Sequence, residues 1–336
     1  MNSLHKLTAA VVLAGVTGLA SAAGYTGLYV FGDSLSDPGN LAALTNAWQV
    51  VSGNSYIPSA PYASGQFTNG NVWARTFANS LGLGTYGQAL TAGGGNYAFG
   101  GARVATDGAG LSPSLATQTN QFLSHTGGVA DPGALYVVAG GGNDARDALI
   151  AAGNAAAMAQ DPTAGIAQAA GNYAFKTGQI IDQLQAAGAK KIIVWDVPNL
   201  ALAPAVTAQG AGASFLAGVV VQAMNGALNA RLSIETGVTL FDLYGIQSAI
   251  SANPAAYGLS NVSDACGAVA NCPANTYLYW DGIHPTAAAH ALLAREMSVT
   301  AVPEPTTWVL LASGLMLIAL RSRRRAPAQA DAQAGV

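Results

Sequence analysis

Leu28-Tyr29-Val30-Phe31-Gly32-Asp33-Ser34-Leu35-Ser36-Asp37 decides how the rest of the chain is read. Four apolar residues followed by Gly-Asp-Ser describe a short buried strand that ends in a tight turn. If a helix starts there, Ser34 stands exposed at its N-terminus, where unpaired N–H groups and the dipole favour developing negative charge. That is a suitable place for a nucleophile. Gly-Asp-Ser is also an ordinary turn sequence, in which Ser34 would be a plain N-cap. The remainder of the chain has to choose.

Outward from this stretch, four short runs rich in Val, Ile, Tyr and Phe read as buried parallel strands: residues 27–31, 134–139, 191–197 and 237–243. A fifth element is expected over 96–104. Helical spacing falls between them. Residues 71–81 carry Val72, Phe77 and Leu81, and 166–187 carry Tyr173, Ile180, Ile181 and Leu184 with Gly188 as the stop. Ser214 is expected to cap a helix reaching about residue 236, and 285–297 opens near Pro285. The Ala- and Gly-rich stretch 145–171 reads as helix with a loop at Asp161-Pro162. Strands alternating with helices predict an α/β fold on a mostly parallel sheet, whose sites lie at the carboxyl ends of the strands. Ser34 and the run Gly140 to Asn143 fall at such ends.

Composition supports a large core. Of 336 residues, 51% are hydrophobic and only 9% charged, which excludes a disordered body. Between Gly24 and Pro303 there are eight Lys or Arg against fourteen Asp or Glu, a net of −6. That balance argues against nucleic acid or an anionic membrane face as a partner. The first 22 residues carry Lys6, an apolar stretch from Leu7 to Leu19, and Ala20-Ser21-Ala22, the layout of a secretory signal peptide. In an exported protein the close pair Cys266 and Cys272 reads as a small disulfide loop. No nearby His or Cys would complete a tetrahedral metal set.

Three further motifs come after Gly32-Asp33-Ser34 in order: Asn96-Tyr97-Ala98-Phe99-Gly100-Gly101-Ala102, Gly141-Gly142-Asn143-Asp144 and Asp281-Gly282-Ile283-His284-Pro285. Together they supply the parts of an acyl-transfer site. A serine hydroxyl needs a general base. The body has three histidines, His125, His284 and His290, and only His284 has a carboxylate three residues earlier. Asp281 can orient its imidazole and stabilise the imidazolium. The Ser34 and Gly101 backbone N–H groups and the Asn143 amide are candidate oxyanion donors. Asp33 and Asp144 are read as supports of their turns, His290 as a surface or packing residue, and His125 as solvated in a loop. Tyr62, Phe67 and Trp73 are read as core, with a wall for an acyl chain as the alternative.

The four blocks resemble the GDSL, or SGNH, hydrolase family, whose Ser, Gly, Asn and His correspond here to Ser34, Gly101, Asn143 and His284. The likeness runs from about Leu28 to Leu293. Phe31 to Asn40 and Gly65-Gln66-Phe67-Thr68-Asn69-Gly70-Asn71-Val72-Trp73 resemble its bacterial lysophospholipase and lecithinase-like branch. The resemblance implies a three-layer α/β/α sandwich with a flavodoxin-like sheet. It implies an esterase or lipase with Ser34, His284 and Asp281 as nucleophile, base and orienter, acting on a lipid, acyl ester or acetylated glycan without metal or organic cofactor. Near the other end, Val302-Pro303-Glu304-Pro305, the apolar run from Thr306 to Leu320 and Arg321, Arg323, Arg324 and Arg325 resemble a PEP-CTERM sorting tail, which implies a sorting protease as a partner. The expected division is a signal peptide over 1–22, a hydrolase domain over 23–302, a sorting motif with membrane span over 303–325, and a tail over 326–336.

Two other readings compete. Gly140-Gly141-Gly142-Asn143-Asp144-Ala145 fits a loose dinucleotide fingerprint after a strand, but its acidic partner would have to be Asp161 beside Pro162. A catalytically inactive surface-binding protein on the same fold is the third class.

Overall fold

The computed structural model describes residues 24–46, 62, 65–108, 112–301 and 314. The expected signal peptide, the apolar run 306–320 apart from Gly314, and the arginine cluster lie outside these. In chain order the elements are β1 (Leu28–Gly32), α1 (Asn40–Thr45), α2 (Trp73–Ser80), α3 (Leu115–His125), β2 (Leu135–Ala139), α4 (Gly142–Ala157), α5 (Thr163–Ala187), β3 (Lys191–Trp195), α6 (Pro204–Thr207), α7 (Ala211–Leu232), β4 (Val238–Phe241), α8 (Leu243–Ala252), β5 (Asn261–Ala265), β6 (Tyr277–Tyr279) and α9 (Ala287–Ala301). All belong to the unit Tyr25–Ala301; the other unit of the chain is Met1–Gly24 with Val302–Val336.

β1 to β4 pair in the order β1-β2-β3-β4, every pair parallel. Leu28 faces Leu135, Tyr136 faces Ile192, and Ile192 faces Val238. The apolar runs alternate between two faces, as the two-residue period of a strand requires. Phe31, Tyr136, Val138, Ile192 and Val194 pack with Phe122, Ile180, Val220 and Met224 from α3, α5 and α7. Val30, Leu135, Val137, Ile193 and Trp195 pack with Trp73, Phe77, Leu243 and Met297 from α2, α8 and α9. Helices therefore cover both faces of a parallel sheet, the expected three-layer sandwich.

The fifth element is shorter than expected. Val30 N–H donates to Gly95 O (3.2 Å), Tyr97 N–H to Val30 O (2.8 Å) and Phe99 N–H to Gly32 O (3.1 Å), so residues 95–99 run along the free edge of β1. Of these residues only Asn96 qualifies as paired, with parallel bridges to Val30 of β1 and to Ala89. Extension stops because Ala98 N–H turns back to Asn96 Oδ1 and Gly101 takes φ +79, a region L side chains avoid. Counting this edge, the order is the flavodoxin-like 2-1-3-4-5.

The expected helices form, with shifted ends. The one expected from Ser214 begins at Ala211, after Gly210 at φ +96, so Ser214 is inside α7 rather than its cap. Among the described residues α7 is the one helix long and apolar enough to cross a membrane, with mean hydropathy 1.4. Its Ala217, Val220, Val221, Met224 and Leu228 are nevertheless buried in the domain. Beyond the sheet, Cys266 and Cys272 are joined by a disulfide. Gly267 N–H donates to Trp280 O (2.8 Å), tying that loop to the residue before Asp281.

Candidate active site

Ser34 follows β1, but no regular helix starts there. Asp33 O accepts from Ser36 N–H and Asp37 N–H, both at 3.0 Å, which makes a single helical turn; α1 begins only at Asn40. The expected helix N-terminus is thus reduced to that turn. Pro38 has no N–H with which to continue the ladder. Asp37 organises the chain on either side of the site: its Oδ1 takes Gly39 N–H (2.8 Å) and Asn40 N–H (2.6 Å), and its Oδ2 takes Leu41 N–H (3.2 Å) and Gly100 N–H (2.8 Å). Burial pushes Asp37 up to about 6 against the pull of these four donors.

His284 arrives on the loop after β6. Trp280 N–H donates to His284 O (2.8 Å), and Tyr279 bridges Pro285, so the loop closes like a small hairpin. Within it Asp281 Oδ1 accepts the N–H groups of Ile283 (2.8 Å) and His284 (2.6 Å). This local Asx geometry is why an i,i+3 spacing brings carboxylate and imidazole together. His284 Nδ1 lies 2.6 Å from Asp281 Oδ2, and Nε2 lies 2.8 Å from Ser34 Oγ. Burial alone would raise Asp281, yet the charge and hydrogen bond of His284, with Tyr62 and the backbone, hold it below the ordinary carboxylate range. Beside Ser34, burial lifts Asp33 to about 6 against Leu35 N–H and His284.

Asn143 is tied to the residue after Gly101: its Nδ2 donates to Ala102 O at 2.9 Å, leaving its second amide hydrogen for another acceptor. Among the described residues neither the Ser34 nor the Gly101 N–H donates to a protein acceptor. Asn143 sits in the first turn of α4, after Gly141 at φ +112. A Cβ on Gly141 would stand 2.5 Å from the Tyr173 ring, so glycine is needed there for space as well as conformation. Asp144 takes Val104 N–H (3.0 Å), the supporting role expected of it. Asp161 instead accepts Thr163 N–H at the start of α5, away from any strand end, which removes the acidic partner of the dinucleotide reading.

The other histidines separate. His290 is fully buried in α9, and its Nδ1 accepts Trp73 N–H (3.3 Å). His125 is exposed, but in the last turn of α3 rather than in a loop, with Nδ1 3.1 Å from Tyr97 Oη. Trp73 is core, while Tyr62 and Phe67 form a small cluster of their own, the Phe67 ring 5.1 Å from the His284 ring. Sequence reading missed Asp37, Asn40, Asn96 and Gln118 as stitches. Asn40 Nδ2 donates to Asn96 O and Ala98 O, Asn96 Nδ2 to Ser36 O, and Gln118 brackets Gly32 through both backbone groups. An apolar cavity of about 50 Å³ is lined by Leu35, Leu200, Leu243, Ile250, Ile283 and Leu293, residues that include the neighbours of Ser34 and His284. No group of three or more His, Cys, Asp or Glu among the described residues is placed to hold a metal ion.

The fold and this arrangement are those of an α/β protein with a strand-end serine site. A family model for GDSL-like lipase/acylhydrolase matches residues 28–297, and the chain belongs to that family. A PEP-CTERM protein-sorting motif matches residues 301–325. The chain is 28% identical over 325 residues to an uncharacterized protein in the trpE-trpG intergenic region of Pseudomonas putida, covering 87% of this chain and 51% of that one. It is 29% identical over 343 residues to esterase EstA of Pseudomonas aeruginosa, covering 87% and 49%. A GDSL esterase/lipase of Arabidopsis thaliana is 24% identical over 322 residues, covering 80% and 85%. The chain thus spans about half the length of the two Pseudomonas relatives. Among solved structures, an extracellular lipase from Streptomyces rimosus superposes with TM-score 0.43 at 16% identity, over 83% of this chain and 100% of that one.

Proposed function

We propose that this protein is a serine ester hydrolase in which Ser34 is the nucleophile, His284 the general base and acid, and Asp281 the orienting carboxylate. The observation that carries the reading is the unbroken line from Ser34 Oγ to His284 Nε2 and from His284 Nδ1 to Asp281 Oδ2. Family membership and the esterase relatives support it. In the reaction, Ser34 Oγ attacks the ester carbonyl while its proton passes to His284 Nε2. The Ser34 and Gly101 N–H groups and the Asn143 amide receive the oxyanion. The intermediate collapses to an acyl-serine, the alcohol leaving with the proton from Nε2. Water repeats the sequence and frees the acid. No step calls for a cofactor.

The acyl chain is assigned to the cavity beside Leu35 and Ile283. Its volume of about 50 Å³ is small, so short acyl chains are expected to be the better substrates. The same smallness favours the second reading, an O-acetyl esterase acting on acetylated polysaccharide. Rates on acyl esters of increasing chain length, with acetylated glycans alongside, test both. A maximum at short chains supports the assignment, a maximum at long chains rejects it, and preference for the glycan selects the second reading. A catalytically inactive surface-binding protein would hydrolyse none of them.

The division of the chain is proposed as expected: an export signal over 1–22, the enzyme over 23–302, a sorting tail with membrane segment over 303–325, and the end over 326–336. The sorting-motif match supports export to the periplasm or cell surface with at least transient tethering, and a C-terminal sorting protease as partner.

A further inference from the structure

A fourth side chain reaches the charged end of this line. Tyr62 Oη donates to Asp281 Oδ2 at 2.6 Å, the same oxygen that faces His284 Nδ1. The other oxygen takes the N–H groups of Ile283 and His284. Asp281 is fully buried and so carries four donors, two on each oxygen. Three belong to its own loop. Among the described residues only Tyr62 comes from a distant part of the chain. Its ring is buried, 5.7 Å from the Phe67 ring and edge-on to His284 at 6.4 Å.

We propose that Tyr62 is a positioning residue for the Ser34–His284 pair: its phenol fixes Oδ2 of Asp281 and shares that oxygen's charge, which sets how tightly His284 holds a proton. The inference rests on the serine-hydrolase reading above. A phenol donates without adding charge. Without it, Oδ2 has one donor in place of two, and a less satisfied buried carboxylate attracts a proton more strongly. Carboxylate and imidazole then titrate as a unit of higher affinity. His284 stays protonated to higher pH and gives its proton to the leaving group less readily. At acid pH less of the enzyme then holds the neutral imidazole that the attack needs, while ground-state binding of the ester is untouched.

Other titratable groups face the pair. Asp33 lies on the Ser34 turn and interacts with His284; Asp144 of α4 lies behind it. His290 of α9 also feels His284, and burial drives it down to about 3, so it stays neutral. Phe67, Leu41 and Trp280 flank Tyr62 without charge. Asp33, at about 6, titrates in the working range, but it is present in every variant compared, so a difference between profiles belongs to position 62.

The test uses the full chain with phenylalanine or 3-fluorotyrosine at position 62. The rate at which a fluorophosphonate labels Ser34 is measured from about pH 5 to about pH 9, with kcat and KM on a short-chain p-nitrophenyl ester. Tyr62→Phe is expected to raise the midpoint of the acid limb by about 0.5–1 pH unit. On the acid limb it should lower kcat by up to about tenfold, and much less above the midpoint, with KM changed less than about twofold. The fluorinated phenol, a stronger donor of nearly the same shape, should move the midpoint down, and it decides the matter if Tyr62→Phe does not fold. A loss of activity equal at all pH values, a loss confined to KM, or no movement with the fluorinated residue overturns the proposal. A wild-type chain whose Ser34 takes no label at any pH overturns the serine-hydrolase reading itself, whatever position 62 does.

Discussion

Asn143 and Asp37 show how differently two polar residues serve the same turn. Asn143 spends one amide hydrogen on Ala102 O and keeps the other. Asn143→Ala should lower kcat by about 10²–10³-fold with little change in KM, because an oxyanion donor acts mainly in the transition state. If only KM rises, or the protein unfolds, the bond to Ala102 is its whole task. Asp37 is a pure acceptor for four N–H groups. In Asp37→Asn one oxygen becomes an NH₂ facing two N–H donors, which should cost about 2 kcal/mol in chemical denaturation at neutral pH. A variant as stable as wild type would show that the four bonds are incidental. Ser34, Gly101, Asn143, Asp281 and His284 were legible because each sits in a short motif. The bond from Asp37 to Gly100 was not, since the partner lies 63 residues away. Nor was the bond from Tyr62, whose ring reads as core until its hydroxyl is placed.

At the scale of elements, the four strands were legible because buried parallel strands are continuous apolar runs. α3 was not, because Leu115-Ala116-Thr117-Gln118-Thr119-Asn120-Gln121-Phe122 offers few apolar positions and no helix-stop beyond the paired glycines. Its place is decided by tertiary bonds from Gln118 to Gly32 and by Phe122 in the core. α9 contributes a residue whose role only packing reveals. His290 is buried and held neutral, its value depressed from 6.5 to about 3. The folded state therefore binds fewer protons there than the unfolded chain. Keeping it neutral costs nothing above about 6.5, but stability is lost as pH falls from there toward about 3, at up to about 1.4 kcal/mol per unit. His290→Gln retains an acceptor for Trp73 N–H and does not titrate. Its unfolding free energy should fall less steeply over that range than wild type; parallel slopes would mean that His290 is not held neutral by the fold.

For the whole molecule, the sheet sets strand ends β1 and β2 side by side, and the loop after β6 brings His284 to them. All the catalytic candidates lie within Tyr25–Ala301. A protein of residues 23–302 should accordingly be soluble and hydrolyse the same esters as the full chain; one that folds yet is inactive would give the sorting tail a part in catalysis. The order of motifs along the chain made this assembly legible, because parallel sheets collect strand ends at one edge. The edge segment 95–99 was legible only in part, since its backbone bonds to β1 but the chain then turns at Gly101 with φ +79. The measurement that bears most directly on the serine-hydrolase reading is covalent labelling by a fluorophosphonate, with the modified residue located by peptide mass spectrometry. One adduct per chain on Ser34 is predicted, abolished in Ser34→Ala and strongly slowed in His284→Ala, with ester hydrolysis lost in parallel. An adduct on another residue, or a Ser34→Ala protein that still hydrolyses esters, would contradict it.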